Sequence, residues 1–94
     1  MRLQIVSPLV VVVDEDEVAA IRAEDESGGF GILAGHADFL TTLAISVVSW
    51  TAKGRPRRHC AVRGGVLTVS GGGEVRVATR EAVVGDDLTK LHDT

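Results

Sequence analysis

The sequence predicts an all-β domain, a sandwich or a barrel, on three observations. Valine dominates the apolar residues, and its β-branched side chain suits a pleated strand better than a helix. Short segments alternate between polar and apolar residues, the period of a strand with one buried face. Glycine occurs 11 times in 94 residues and supplies turn positions at the close spacing of a small all-β fold. Only 3% of the chain is aromatic, so valine, leucine, isoleucine and alanine must fill the core. A chain of this length is one domain with a modest core.

Residues 2–6 alternate, with Leu3 and Ile5 facing one way and Arg2 and Gln4 the other. Ser7-Pro8 ends this strand, because proline cannot donate to a ladder. Residues 9–13 form a continuous apolar run and a second strand, and the acidic run 14–17 reads as a solvated turn. Residues 18–23 read as a third strand in which Val18 and Ile21 break the alternation. A bulge there brings both inside, and a short helix is the competing reading. Residues 24–29 form a loop and 31–33 a short extended piece. Residues 39–43 and 45–52 are two further strands, followed by a turn at Lys53-Gly54-Arg55-Pro56. Residues 57–63 alternate, with Arg58, Cys60 and Val62 on one side. Gly64-Gly65 has the composition of a hairpin turn, so 57–63, 66–70 and 74–79 form a three-stranded meander. From Gly85 the pattern changes to a helix start, with Asp86 as cap, Asp87 at the positive end and Leu88 and Leu91 one turn apart.

Charge and cysteine usage exclude several functions. The net charge of −3 argues against a general nucleic-acid binder. The single Cys60 allows no internal disulfide and is expected to pack inside as a small apolar group. Cys60, His36, His59 and His92 lack the spacing of a zinc site. Residues 10–13 fall far short of the ~20 apolar residues that span a bilayer, and no signal peptide is expected.

The segment Gly28-Gly29-Phe30-Gly31-Ile32-Leu33-Ala34-Gly35-His36-Ala37-Asp38 is the part most unlike the rest. Its glycine spacing fails the dinucleotide fingerprint. His36 and Asp38 have no serine or cysteine nucleophile beside them, so a catalytic pair is not expected. Phe30, Ile32 and Leu33 are expected to anchor the segment to the core while Gly29, Gly35 and His36 face outward. Lys53, Arg55, Arg57, Arg58 and Arg63 form the one basic cluster, read as a solvated hairpin or as a contact for an acidic partner. Trp50 is expected in the core. No catalytic constellation is present, and an interaction module is favoured over an enzyme.

The glycine-rich segment resembles the Gly-Glu-Phe-Gly-(Ile/Val)-Leu-Pro-Gly-His-Ala signature of the epsilon subunit of bacterial F-type ATP synthases. Met1-Arg2-Leu3-Gln4-Ile5-Val6-Ser7-Pro8 is similar to that family's opening strand, and Leu40-Thr41-Thr42-Leu43 follows the histidine as it does there. Arg63-Gly64-Gly65-Val66-Leu67-Thr68-Val69 resembles its Ser-Gly-Gly hairpin, and Val77-Ala78-Thr79-Arg80-Glu81-Ala82 falls where its sandwich ends. The stretches 44–50 and 80–88 look closest to the alternate, N-type branch. Two positions depart from the signature: its glutamate is Gly29 here, and its proline is Ala34.

The resemblance implies a flattened β-sandwich of about ten short strands over residues 1–84, and a truncated or absent helical region over 85–94. It implies a non-catalytic central-stalk subunit, without cofactor or metal, that links the gamma subunit to the polar loops of the membrane c-ring. That role couples ion translocation to ATP synthesis and hydrolysis. Gly29, Phe30, Gly31, Gly35 and His36 would belong to the c-ring and gamma interface. The subunit would sit at the cytoplasmic face of the bacterial inner membrane, held there only through the complex, and an isolated domain can self-associate through its gamma-facing patch. The rival reading is a stand-alone β-sandwich that binds an acidic partner through the 53–63 hairpin. The family's ATP-binding motif, (Ile/Leu)-Asp-x-x-Arg-Ala, is matched only at Leu88-Thr89, without the aspartate. No tight ATP binding is therefore expected, and saturable micromolar binding in calorimetry would contradict this.

Overall fold

Alternating burial organises the chain into strands whose inward residues form one core. The computed structural model describes residues 1–85. The strands are β1 (Arg2–Val6), β2 (Val11–Glu15), β3 (Val18–Asp25), β4 (Gly28–Leu33), β5 (Phe39–Ala52), β6 (Arg58–Ser70) and β7 (Glu74–Gly85). They form a seven-stranded sheet in the order β2-β1-β7-β6-β5-β3-β4, with β1 and β7 parallel and the other pairs antiparallel.

The three long strands change register of burial at one level. Inward residues are Leu43 and then Ser46, Val48 and Trp50 in β5, and Cys60 and Val62 and then Leu67 and Val69 in β6. In β7 they are Val75, Val77 and Thr79, followed by the partly buried Ala82 and Val84. The parity switches once in each strand. At the switch the pairing passes over Ala44, Gly64 and Arg80, whose neighbours stay in register. The sheet therefore bends along this line, and its two halves share one core. Each half keeps its apolar residues inside only because every long strand changes parity at the same level.

The bend explains the strand count. β5, β6 and β7 each give a segment to both halves, so the seven strands present ten segments. Gly64-Gly65 is a bend inside β6, not a hairpin turn. Gly64 has φ +68°, and a Cβ there would lie 2.8 Å from the Arg80 Cδ. A Cβ on Gly65 would come within 3.2 Å of the Ala78 carbonyl oxygen and the Thr79 Cβ. Thr79, 5% exposed, serves the opened backbone. Its Oγ1 accepts from the Arg63 N–H at 3.2 Å and lies 2.9 Å from the carbonyl oxygens of Arg63 and Glu81. On the β5 side, buried Ser46 accepts from the Glu24 N–H at 3.1 Å.

Polar ties close the two halves over the core. The Met1 amino group donates to the Val18 carbonyl at 3.1 Å, and the Val18 N–H donates back to Met1 at 2.9 Å. Trp50, 2% exposed, donates Nε1–H to Glu15 Oε2 at 2.6 Å. Arg58 pairs with the other Glu15 oxygen, and its guanidinium lies 5.6 Å from the Trp50 ring centroid. Asp14 and Glu15 thus belong to β2 and not to a solvated turn. Only Asp16 and Glu17 make that turn, with Glu17 at φ 59°. The predicted bulge in the third strand is present, since the β3–β5 register shifts between Val18 and Ala20. Cys60 is fully buried, and desolvation pushes its thiol up to about 11. The expected helix start from 86 onward lies outside the described residues. Gly85 itself ends β7.

Thr79→Val is expected to lower the unfolding free energy by about 1–3 kcal/mol, because backbone groups at the bend lose their partner. Thr79→Ser should recover most of it. Urea denaturation followed by far-UV circular dichroism checks both, and an unchanged midpoint for Thr79→Val would contradict this role of the hydroxyl.

Candidate functional site

The glycine-rich segment runs along one open edge of the sheet and turns at its corner. β4 is the last strand in the order, paired on one side with β3 through Arg22↔Gly31, Ala23↔Phe30 and Glu24↔Gly29. Its other side has no strand partner among the described residues. Gly28 and Gly29 belong to this strand rather than to a preceding loop. Asp25 fixes the turn into it. Its Oδ1 accepts from the Ser27 N–H at 2.9 Å and from Ser27 Oγ at 2.6 Å, and its Oδ2 accepts from Thr41 Oγ1 at 2.7 Å. The Ser27 hydroxyl, then that of Thr41, holds the Asp25 carboxyl below its ordinary value.

After Leu33 the chain turns through Gly35 at φ +86°, with the His36 N–H donating to the Leu33 carbonyl at 3.1 Å. This corner is bound to the β6–β7 turn. The Gly35 N–H donates to the Gly72 carbonyl at 2.6 Å, and the Gly71 N–H donates to Asp38 Oδ1 at 3.2 Å. Gly72 sits at φ +72°, and a Cβ on it would lie 3.6 Å from the Gly35 Cα. Side chains lock the corner from below. Phe30 and Phe39 meet edge-to-face at 5.5 Å, and His36 packs edge-on against Phe39 at 5.8 Å. His36 Nδ1 lies 2.7 Å from the Ala37 carbonyl oxygen.

The structure brings Phe30 and His36 together through Phe39 and leaves Gly29, Gly31 and Gly35 exposed along the edge. Two expectations change. Leu33 is not an anchor: it is 64% exposed, and buried Ile32 carries that role with Phe30. His36 is half-buried against Phe39, not freely outward. Phe39 and Gly71-Gly72 were not singled out by sequence reasoning, and Asp38, weighed there as a catalytic partner of His36, instead accepts from the Gly71 N–H. The run of three glycines was the available signal, because one turn of ordinary hairpin geometry does not need three.

The basic cluster does not act as one unit. Lys53 and Arg55 are exposed on the turn, Arg58 is held by Glu15, and Arg63 lies at the bend opposite Ile45 and Glu81. A separate apolar patch lies on the outer face, where Val47, Ala61 and Val83 pair in a row beside Ile45. Ile45 is 78% exposed and Val83 51%. Among the described residues no group of three or more metal-ligating side chains occurs, and no helix is long and apolar enough to cross a membrane.

Comparison with known proteins gives a consistent picture. Residues 1–85 match the family described as ATP synthase, Delta/Epsilon chain, beta-sandwich domain. The chain is 48% identical over 91 residues to an ATP synthase epsilon chain 2 of Cereibacter sphaeroides, covering 97% of this chain and 62% of that protein. It is also 48% identical to an ATP synthase epsilon chain 2 of Paraburkholderia xenovorans, covering 97% of this chain and 66% of that one. It thus spans a little under two thirds of their length. A chain in the Euglena gracilis mitochondrial ATP synthase superposes with a TM-score of 0.78 at 27% identity, over 97% of this chain and 58% of that chain. A chain of the Tetrahymena thermophila central stalk and c-ring, at 13% identity and a TM-score of 0.72, shares the fold.

Because the Asp25 carboxyl titrates below its ordinary value of 3.8, the folded state favours its charged form. Its stabilisation is present above about pH 4 and is lost as pH falls through the folded value. Asp25→Asn should therefore unfold more easily than the native chain at neutral pH. The gap should close on acidification below about pH 4. Denaturation midpoints measured across pH check this, and a gap that widens in acid would contradict it.

Proposed function

This chain belongs to the ATP synthase delta/epsilon chain family, in its β-sandwich domain, and on that premise we propose that it is an accessory central-stalk subunit of a rotary ATP synthase. It catalyses nothing itself and joins the gamma subunit to the c-ring polar loops at the cytoplasmic side of the membrane. The observation that carries the reading is the stiff corner at Gly35–His36. A part that transmits torque must not shear at its contact surface. Here the contact segment is tied to the β6–β7 turn by one backbone hydrogen bond and by the Asp38 carboxylate, and to the core by Phe30, Phe39 and Ile32.

Each partner has a surface suited to it. The edge with Gly29, Gly31, Gly35 and His36 presents backbone and one imidazole, a shape that suits close approach of polar loops. The outer patch of Ile45, Val47, Ala61 and Val83 suits burial against gamma, since exposed apolar area of this kind marks interaction surfaces. The domain is a spacer with two faces, and its rigid core fixes the angle between them.

Gly31 tolerates a side chain sterically: a Cβ there meets only the Ile21 carbonyl oxygen, at 3.8 Å. Gly31→Val and His36→Ala should keep near-native stability and gamma binding, yet reduce ATP-driven ion pumping in a reconstituted complex. Ile45→Lys should instead weaken co-purification with gamma. Native coupling in both edge variants would overturn the assigned contact. Failure of soluble gamma and this chain to associate at micromolar concentration would overturn the stalk role.

A further inference from the structure

The outer surface of β4, β3, β5 and β6 carries a shallow trough that borders the proposed stalk contacts at Gly29, Gly31 and Val47, while its charged residues have no part in them. Two adjoining cavities, of about 360 and 300 Å³, share Arg22, Ser49 and Arg57 and so form one groove. The pairing explains its shape. The outward row Gly31–Arg22–Ser49–His59 crosses the four strands, with Leu33–Ala20–Thr51 beside it. Small residues pave the floor, and Gly29 and Gly31 contribute no side chain at the β4 end.

The charge of the trough is specific. Neither Arg22 nor Arg57 has an ion pair or a hydrogen bond to another described side chain. His59 uses Nδ1 on Ser49 Oγ at 2.7 Å, which leaves Nε2 as its remaining polar atom. The opposing group is Glu24, which lines the second cavity away from the shared junction. Two guanidinium groups that form no ion pair, against one carboxylate at the far side of the trough, suit an anion from outside.

Shape decides the kind of anion. The trough is open along its length, whereas small-molecule sites enclose most of their ligand. From β4 to β6 it runs about 14 Å at the ordinary strand spacing. That is the reach of about four residues of extended chain. We propose that this trough receives an extended acidic segment of a partner protein, whose carboxylates are read by Arg22 and Arg57. This inference goes beyond the stalk role and does not rest on it. It also divides the basic hairpin: Arg57 serves the trough with Arg22, a partner 35 positions earlier, while Arg58 is committed to Glu15.

The test is an amide nuclear magnetic resonance titration of the 94-residue chain with acetyl-(Glu)4-amide, acetyl-(Lys)4-amide and inorganic phosphate as probes. The glutamate peptide should give saturable shifts at Gly29, Gly31, Arg22 and Ser49, weakened by added salt. Arg22→Ala and Arg57→Ala should each weaken it by about threefold, the range of a solvent-exposed ion pair. Gly31→Leu should block it by filling the floor, and Arg76→Ala, on the other half of the sheet, should leave it unchanged. Four results would each overturn the proposal. These are no saturable shifts, equal shifts from the lysine peptide or from phosphate, shifts centred on Lys53 and Arg55, or indifference to both arginine substitutions. Because the titration contains neither gamma nor c-ring, none of them bears on the stalk role.

Discussion

The aligned bend at Ala44, Gly64 and Arg80 is the constraint on which the rest of the structure depends. A flat sheet of seven strands could bury one face only, and with so few aromatic residues this chain lacks the bulk to cover it by other means. Folding the sheet gives each half the other as its cover. The parity change lets Leu67 and Cys60, on the same strand, both reach the core. Losing the break in one strand alone would turn half of that strand inside out. Glycine at Gly64 and the hydroxyl of Thr79 are the local requirements of this solution. One supplies the left-handed backbone, and the other satisfies the polar groups that the ladder drops.

Much of the fold was legible from local pattern, because strand alternation is written residue by residue. β1, the bulge in β3 and the inward faces of β6 and β7 follow from apolar spacing alone. The bend was not legible as such. Gly64-Gly65 between two alternating runs has the composition of a hairpin turn, and composition does not say whether the chain reverses or only kinks. The distinction is made by Arg63↔Glu81 and Gly65↔Thr79, contacts with a neighbouring strand. Glu15 shows the same limit. In sequence it belongs to an acidic run, yet Trp50 and Arg58, both far along the chain, draw it into the closure of the core.

The candidate site divides in the same way. The segment from Gly28 to Asp38 stood out by composition, and the family resemblance named Gly29, Phe30, Gly31, Gly35 and His36. Its support did not stand out. Gly72 and Phe39 hold the corner through a hydrogen bond and ring packing that no single-sequence pattern encodes. Arg22 reads in sequence as an ordinary polar strand residue, and only the pairing of β3 with β4 and β5 places it in the trough. This edge is shaped less by unusual side chains than by backbone brought to the surface and kept there.

We propose that the 28–38 edge is a rigid surface covered by stalk partners. Hydrogen exchange of this chain, alone and within the assembled ATP synthase, tests it most directly. The isolated chain should already protect the Gly35 amide, which donates to Gly72, and assembly should add protection across 28–33, where β4 has an open side. Rapid exchange at Gly35 in the isolated chain, or no gain across 28–33 on assembly, would contradict this proposal.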